Sequence, residues 1–488
     1  MRLDRRILSI SLLICALAWT LWFVFAGFGN HQDPLYWLYK YEHLEGGWMA
    51  VGTLLTGGAI VRIFGASLLP LRIAGWLCVV GAIALPYCCL LDKEQRQKNL
   101  HWLALTFVLM GYGAFQEFSP GALSVLLLSA LWVTQSPIIA GLAIASRFPN
   151  ILALLVLIPL WRKKSLWNIP ITAVTAGLVY LLGYWLITPA VTDAAMTSHE
   201  LLSMLTKLWE GGGKLLGFML LGVGVLALHA HRGAGWVVGA ALCYVVLYAF
   251  KPLQWYNMDL TYLLSALCLV IAAAAKQKKL YIGVALLIVA TLGTDTGWLK
   301  LFPAVLCLIP VAASMVEEDM LRYLFIVLAM MSIAVAVRFS TNSVGQSRLS
   351  KANTISAIAP YRHIAIRAQE EQRLAQYKAD VDSLDGPILA LGQEMHLMRA
   401  VTGCEAAVYN EFWSNIFDSV YTHKYETVIE TQRPIVFCSY SPQFKTKPEY
   451  KDKESRMERM IRAHGYREID RSQYRYMIYI PEDGTEIR

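Results

Sequence analysis

The chain has 488 residues, of which 56% are hydrophobic and 16% are charged, and this balance excludes a water-soluble globular protein. Apolar runs recur from Ile7 to Val337, and many approach the ~20 residues that an α-helix needs to cross a bilayer. The formal net charge of +8 comes mostly from loops between these runs and follows no nucleic-acid-binding pattern, so membrane lipid is an expected partner and nucleic acid is not.

The chain divides into two parts of different composition. Residues 1–338 carry the apolar runs, whereas residues 339–488 are rich in charge and contain no run of spanning length. The first run, Ile7–Phe28, is too long for a cleaved signal and reads as a signal anchor, with the arginines before it in the cytoplasm. We predict a polytopic α-helical membrane protein of about thirteen spans, with eleven as the alternative. Both counts are odd, so a soluble C-terminal domain is expected on the outer side.

The basic loops constrain how the runs are counted. Residues 92–98 and 162–164 both favour the cytoplasm, so an even number of crossings must separate them. Three runs lie between these loops, and we therefore expect 138–160 to break at Arg147-Phe148-Pro149 and turn on the outer side, or one run to be re-entrant. The predicted spans are Ile7–Phe28, Leu68–Leu91, Leu100–Phe115, Ala122–Val133, the two halves of Ile138–Leu160, 168–188, 215–229, 234–250, 259–275, 279–293, 301–315 and 320–337.

The loop after the first run, residues 29–67, concentrates titratable side chains. They are His31, Asp33, Glu42, His43 and Glu45. Ionisable groups beside a bilayer are costly to desolvate, so such a cluster indicates a function, with an ordinary solvated loop as the alternative. The region is polar at first and then amphipathic, which predicts a helical stretch along the interface with Glu42 and Glu45 in solvent.

The C-terminal part has the pattern of a small α/β domain. Residues 387–392 and 434–440 read as buried strands, and Tyr474–Ile480 alternates as a strand. Helical spacing marks Ile355–Leu384, and Lys453–His464 reads as a helix that Gly465 ends. Strands separated by helices predict a mainly parallel sheet, in a domain expected to act as a structural or partner-binding cap.

The nine cysteines fall into two groups. Cys404 and Cys438 lie in the C-terminal domain and could form a disulfide in an oxidising compartment, or remain apart. The others lie in apolar runs, where cysteine packs as a small residue: Cys15, Cys78, Cys88, Cys89, Cys243, Cys268 and Cys307.

The motifs of the first loop resemble those of a known superfamily. An acidic residue soon after the first span, followed by Ile63-Phe64-Gly65-Ala66-Ser67 through Leu71-Arg72 at the second span, resembles the GT-C glycosyltransferases. The branch with protein O-mannosyltransferases and the lipid A aminoarabinose transferase has a similar many-span body. His31-Gln32-Asp33 is similar to the His-Pro-Asp-Glu motif of lipid-linked-oligosaccharide mannosyltransferases. The motifs cover residues 7–160, and the rest of the chain is similar in architecture only.

The sequence departs from the family's pattern at two acidic positions. The family's frequent Asp-Glu pair is Asp33-Pro34 here, and Gly121 stands where the second outer loop often carries an aspartate, with Glu117 the nearest acidic residue. The resemblance implies an enzyme that moves a sugar from a polyprenyl phosphate to a lipid, glycan or protein acceptor at the outer face of the membrane. We expect a bacterial inner membrane as the location, because the sequence shows no eukaryotic sorting features.

Transfer of this kind needs a base for the acceptor hydroxyl and cations for the phosphate that leaves. Asp33 is the predicted general base, His31 could orient it or contact phosphate, and Glu117 could assist it or hold a divalent cation. Arginine matches phosphate oxygens with two parallel hydrogen bonds, and lysine supplies a point charge. The predicted phosphate-binding residues are Arg72, Arg147, Arg62 and Lys251. Carboxylates and histidines do not reach metal-ligand spacing, so no metal or other cofactor is predicted.

Three other functions remain open at this point. A transporter or flippase of lipid-linked glycans would carry charges in mid-span and an internal repeat, neither of which is clear here. A surface-polysaccharide polymerase or ligase would have its largest outer loop late in the chain. A non-catalytic membrane assembly protein would work through its C-terminal domain and tolerate the loss of Asp33.

Overall fold

The computed structural model describes residues 5–25, 32–113, 117–163, 165–189, 215–216, 219, 265–266, 268–270, 272, 277–292, 301–315, 353–384, 386–392, 395–402, 419–439 and 458–482. The described N-terminal elements are α1 (Arg5–Phe25), α2 (Gln32–His43), β1 (Glu45–Gly46), α3 (Val51–Phe64), α4 (Leu68–Leu90), α5 (Lys93–Lys98), α6 (Leu100–Gly113), α7 (Pro120–Thr134), α8 (Pro137–Ser146), α9 (Leu154–Trp161), α10 (Asn168–Leu186), β2 (Thr188–Pro189), α11 (Lys278–Leu287), α12 (Leu301–Leu306) and α13 (Ile309–Met315).

The described C-terminal elements are β3 (Asn353–Ile355), β4 (Ala365–Arg367), α14 (Ala368–Asp382), β5 (Ile388–Gly392), α15 (Met395–Thr402), α16 (Ser419–Gln432), β6 (Ile435–Ser439), β7 (Tyr466–Arg471) and β8 (Tyr476–Pro481). Short 3₁₀ turns lie at Trp48–Ala50, Phe148–Ala153, Ile288–Thr291 and Ser472–Tyr474. Residues 458–463 are also helical, in agreement with the helix predicted before Gly465.

Several apolar runs become helices close to their predicted bounds. The hydroxyl of Ser67 caps α4 by accepting from the Leu69 amide, and Ser119 caps α7 in the same way at Ala122. Within the described residues, two helices are long and apolar enough to cross a membrane, Leu68–Leu90 and Asn168–Leu186. Predicted spans between 190 and 276, and from 316 to 337, lie largely or wholly outside those residues, so the span count stays a prediction.

The expected break in the run 138–160 is present. Helix α8 ends at Ser146, Arg147 is extended at φ −160°, and a 3₁₀ turn leads from Phe148 into α9. Proline at 149 cannot continue the helical hydrogen bonding, which explains why an apolar run stops here. The region 301–315 is likewise divided, into α12 and α13, where a single span was predicted.

The C-terminal sheet has strand order β5-β6-β8-β7. Strands β5 and β6 are parallel, with Ile388 opposite Ile435, but β6–β8 and β7–β8 are antiparallel. The prediction of a mainly parallel sheet is therefore wrong, because β7 and β8 are joined by the short turn Ser472–Tyr474, which permits only antiparallel pairing. The predicted strands 387–392, 434–440 and 474–480 are confirmed as β5, β6 and β8, whereas β7 was not predicted.

Two other predictions need correction. The helical pattern of 355–384 becomes the hairpin β3–β4 followed by α14, so only 368–382 is helical. The first loop is two helices, α2 and α3, separated by β1 and a 3₁₀ turn, where a single interfacial stretch was predicted. The break falls at Gly46-Gly47, and glycine is a poor helix former.

The described apolar residues form two cores. One lies among the helices of the N-terminal part and includes Ala82, Phe107, Leu128 and Phe302. The other joins α2 to the C-terminal domain, because Leu35, Leu38 and Tyr41 of α2 belong to the same cluster as the sheet. The apolar face of α2 thus shares a core with the C-terminal domain, whereas Trp48, Ile63 and Phe64 later in the first loop are exposed.

Candidate active site at the first loop

The ends of several helices meet at Arg72, in the second turn of α4. Its side chain is 2% exposed, its Nη1 donates to the Val24 carbonyl at 3.1 Å, and its Nε lies 3.4 Å from Glu117 Oε1. Val24 belongs to the last turn of α1, where carbonyls have no partner within the helix. Two residues predicted separately for the site, Arg72 and Glu117, therefore form an ion pair beside the C-terminal end of α1.

Helix α2 is fixed to this corner. The Tyr41 hydroxyl donates to the Phe118 carbonyl at 3.1 Å, and the Phe118 amide donates to the Leu71 carbonyl at 2.9 Å. Asp33 is the second residue of α2, so the segment with the predicted base is attached to the loop that carries Glu117. His31 lies outside the described residues, and the arrangement of the Asp33 side chain stays a prediction.

Close packing against α3 sets the position of α2. A Cβ atom on Gly57 would lie 2.3 Å from the Tyr41 ring, and one on Gly58 would lie 2.3 Å from a Leu44 methyl. Real Cβ atoms do not approach other atoms so closely, so these glycines allow the contact. The chain leaves α2 at Leu44, whose carbonyl accepts from the Thr188 amide at 2.9 Å, and β1 then pairs with β2.

The C-terminal domain covers α2 and the start of α4. The Leu68 amide donates to the Pro360 carbonyl at 2.9 Å, and the Ser67 hydroxyl donates to the same oxygen at 3.3 Å. On α15, the guanidinium of Arg399 lies 5.6 Å from the ring centre of Tyr39 and is 2% exposed. A domain predicted only as a cap thus contacts the segment that carries Asp33.

Glu45 corrects one sequence interpretation. It was predicted to lie in solvent, but it is half-buried and accepts a hydrogen bond from the Tyr39 hydroxyl at 3.5 Å. Burial raises the pKa of Glu45 above its ordinary value, while His43, the Tyr39 hydrogen bond, Lys40 and Arg399 oppose that rise. Glu42, two residues before Leu44 on α2, is exposed as predicted.

Lys40 adds a buried cation to α2. Its side chain is 3% exposed, and its Nζ lies 4.4 Å from the ring centre of Tyr36 and 5.5 Å from that of Trp37. Aromatic faces attract an ammonium through the ring quadrupole, which compensates part of its lost hydration. The first loop therefore contains cationic groups that were not among the predicted phosphate-binding residues.

The other predicted phosphate-binding residues lie elsewhere. Arg147 is 5% exposed at the α8 break, where its Nη1 donates to the Ala290 carbonyl at 2.6 Å and its Nη2 donates to the Leu292 carbonyl. Arg62 is exposed in the last turn of α3. Lys251 lies outside the described residues. The structure thus joins Arg72 to Glu117 and gives Arg147 two backbone acceptors of its own.

Among the residues that the structure describes, no three His, Cys, Asp or Glu side chains come together as a metal site. Cys438 is buried in β6, and Cys404 lies outside the described residues, so both outcomes predicted for this pair remain open.

Sequence reasoning missed Tyr39, Lys40 and Arg399. Residues 36–43, YWLYKYEH, could have indicated a buried segment, because four aromatic residues around a lysine are unusual for a solvated loop. Arg399 gave no such indication, since it lies on a short amphipathic helix, MHLMRAVT, and its partner Tyr39 is distant in sequence.

No protein-family model matches the sequence, and no curated protein matches it. Among solved structures, the chain is similar to ArnT from Cupriavidus metallidurans, in a crystal structure bound to undecaprenyl phosphate. The similarity covers 97% of this chain and 97% of that chain, with 10% sequence identity and a TM-score of 0.39.

Proposed function

We propose that this protein is a GT-C glycosyltransferase that moves a sugar from a polyprenyl phosphate to an acceptor hydroxyl. The observation that carries the proposal is the ion pair of Arg72 with Glu117, 3.4 Å apart, at the corner where α2 is anchored through Tyr41. Arg72 and Glu117, which come from two different predicted motifs, thus lie together next to α2, the helix that carries Asp33.

Asp33 acts as the general base in this proposal. The acceptor oxygen attacks the anomeric carbon, its proton passes to the Asp33 carboxylate, and the bond from the anomeric carbon to the phosphate oxygen breaks. A positioned base contributes about 10²–10⁴-fold to such a step. His31 orients Asp33 or contacts phosphate, and Glu117 assists by holding Arg72 in place.

The leaving polyprenyl phosphate needs cations close to the membrane surface. Arg72 is the first candidate, because its guanidinium lies at the corner with Glu117 and has the geometry for phosphate oxygens. Arg62, Arg147 and Lys251 are further candidates from the predicted topology. The step uses only groups of the chain, and no metal or cofactor is assigned to it.

The proposed location is the inner membrane of a bacterium, with the N-terminus in the cytoplasm and the C-terminal domain outside. The acceptor is a lipid, a glycan or a protein. Burial of α2 by the C-terminal domain supports a reaction chamber on the outer side, since Pro360 and Arg399 both contact the first loop.

The test is a transfer assay with the purified full-length chain in lipid nanodiscs. Undecaprenyl-phosphate-linked sugars would be supplied one at a time with envelope lipid extracts, and released undecaprenyl phosphate would be measured by mass spectrometry. We expect release for at least one sugar, with a decrease of about 10²-fold or more in Asp33→Asn. Glu42→Gln, a matched change at an exposed position of the same helix, should keep wild-type release. The proposal would be rejected if no donor gave release, or if Asp33→Asn and Glu42→Gln released equal amounts of undecaprenyl phosphate.

A further inference from the structure

A chain of contacts links the C-terminal domain to the end of α2. Arg399, buried in α15, lies over the face of Tyr39, and the Tyr39 hydroxyl donates to Glu45 at 3.5 Å. Glu45 begins β1, which pairs with β2 after α10. One arginine of the C-terminal domain therefore contacts the segment that follows α2 and connects it to a membrane helix.

The charges at this junction come from both sides. Lys40 and His43 lie on α2, Arg399 lies on α15, and all three act on the single carboxylate of Glu45. The ring centre of His43 also lies 4.4 Å from that of Tyr39, so Tyr39 contacts both a histidine of α2 and an arginine of α15. A cation against an aromatic face is worth more when the cation is desolvated, and Arg399 is buried whereas Tyr39 is half-buried.

Packing makes the orientation of α2 depend on this junction. Helix α2 packs against Gly57 and Gly58 of α3, and it also contacts α15 of the C-terminal domain. An error of about 1 Å in the position of a reacting group can reduce a rate roughly a hundredfold. A residue that fixes α2 from outside can therefore control the reaction without touching the substrate.

We propose that Arg399 is a positioning residue, which holds Tyr39 and Glu45 so that α2 presents Asp33 to the substrate. This inference rests on the proposed function, since Asp33 is its target. The C-terminal domain then contributes to turnover, beyond acting as a cap over the membrane region.

The experiment uses the full-length protein in nanodiscs and four variants. Arg399→Ala removes the guanidinium, and Arg399→Lys keeps a cation over the ring. Tyr39→Phe keeps the ring but removes the hydroxyl that reaches Glu45. Arg433→Ala is the matched control, because Arg433 lies 5.1 Å from the Tyr466 ring and donates to the Gly465 carbonyl at 3.4 Å within the C-terminal domain.

Two measurements are made on each variant. The first is hydrogen–deuterium exchange of a peptide that covers residues 32–43, which reports on α2 whether or not the protein is active. The second is the steady-state transfer rate, separated into kcat and KM. We expect Arg399→Ala to speed exchange in α2 and to lower kcat roughly ten- to a hundredfold with KM unchanged. Arg399→Lys should recover part of both effects, and Tyr39→Phe should lie between.

The control decides between positioning and general stability. Arg433→Ala should leave exchange of residues 32–43 and kcat as in the wild type. Equal effects of the two alanine variants, or no effect of Arg399→Ala on exchange, would overturn the inference. If the wild type transfers no sugar, the proposed function fails, and the exchange measurement alone then judges whether Arg399 orders α2.

Discussion

Two buried arginines of the helical region, Arg72 and Arg147, were both predicted to bind phosphate, but they lie in different surroundings. Arg147 donates to the carbonyls of Ala290 and Leu292, so both contacts fix the backbone of one helix end. Arg72 donates to the carbonyl of Val24 and also lies against the carboxylate of Glu117. Burial alone thus does not distinguish an anchor from a candidate site residue, whereas the chemical nature of the partners does.

The largest expected effect on stability is at the Arg147 corner. Arg147→Ala should lower the free energy of unfolding by about 1–3 kcal/mol for each carbonyl left without its donor. Thermal unfolding of the detergent-solubilised protein measures this, with the exposed Arg62→Ala as the control, which should change it by about 0.5 kcal/mol or less. An unchanged melting temperature in Arg147→Ala would mean that these contacts do not anchor the helix break.

The contact between α2 and α3 should be the next most sensitive. Gly57→Ala places a methyl group 2.3 Å from the Tyr41 ring, and overpacking of this kind costs about 1–3 kcal/mol. Because it displaces α2, it should also slow transfer. Gly177→Ala in α10 is the matched control, since a Cβ atom there meets nothing within 4 Å and alanine favours the helix by about 0.5–1 kcal/mol. Similar melting temperatures for the two variants would argue against the tight packing of α2.

Glu117→Gln should separate stability from activity at the Arg72 corner. Glu117 is partly exposed, and pairs of this kind contribute about 0–1 kcal/mol, so the melting temperature should change little. The transfer rate should fall about tenfold, because Arg72 loses the charged partner that orients its guanidinium. Glu94→Gln, an exposed position of α5, provides the comparison. A variant that melts earlier but retains full transfer would show that Glu117 has a structural role only.

The smallest expected effect is a dependence of stability on pH. The pKa of Glu45 is raised by burial, so the folded protein binds this proton more tightly than the unfolded chain. Stability should therefore decrease as the pH rises above the ordinary carboxyl value of 4.5, and Glu45→Gln should remove this part of the slope. The groups that face Glu45, namely Tyr39, Lys40 and His43 of α2 and Arg399 of α15, limit the effect. Identical slopes for wild type and variant between pH 4.5 and 7 would contradict this assignment.

The helices and strands that the sequence predicted correctly are those with strong local signals. Long apolar runs predicted helices α4, α6, α7 and α10. The break at Arg147 was predicted from Pro149 and from the even number of crossings required between the two basic loops. The sheet was predicted to be mainly parallel because helices separate most strands, but the order β5-β6-β8-β7 depends on a short turn. Local patterns thus indicate elements more reliably than pairing, which is decided by distant contacts.

The candidate site could be predicted only in part. The motifs indicated Asp33, Arg72 and Glu117 one by one, and the contact of Arg72 with Glu117 needed the three-dimensional structure. Glu45 was wrongly placed in solvent and Arg399 was missed, because they meet through packing between segments more than 350 positions apart, which no periodicity records.

The most direct test of the central claim is made in cells of the organism that produces the protein. A deletion strain would be complemented with wild type, Asp33→Asn or Glu42→Gln at matched expression, and surface glycans and glycolipids would be analysed by mass spectrometry. We predict that Asp33→Asn loses one defined sugar while remaining folded, and that Glu42→Gln keeps it. A complete glycan profile in Asp33→Asn would contradict the account and would favour a transporter or an assembly protein.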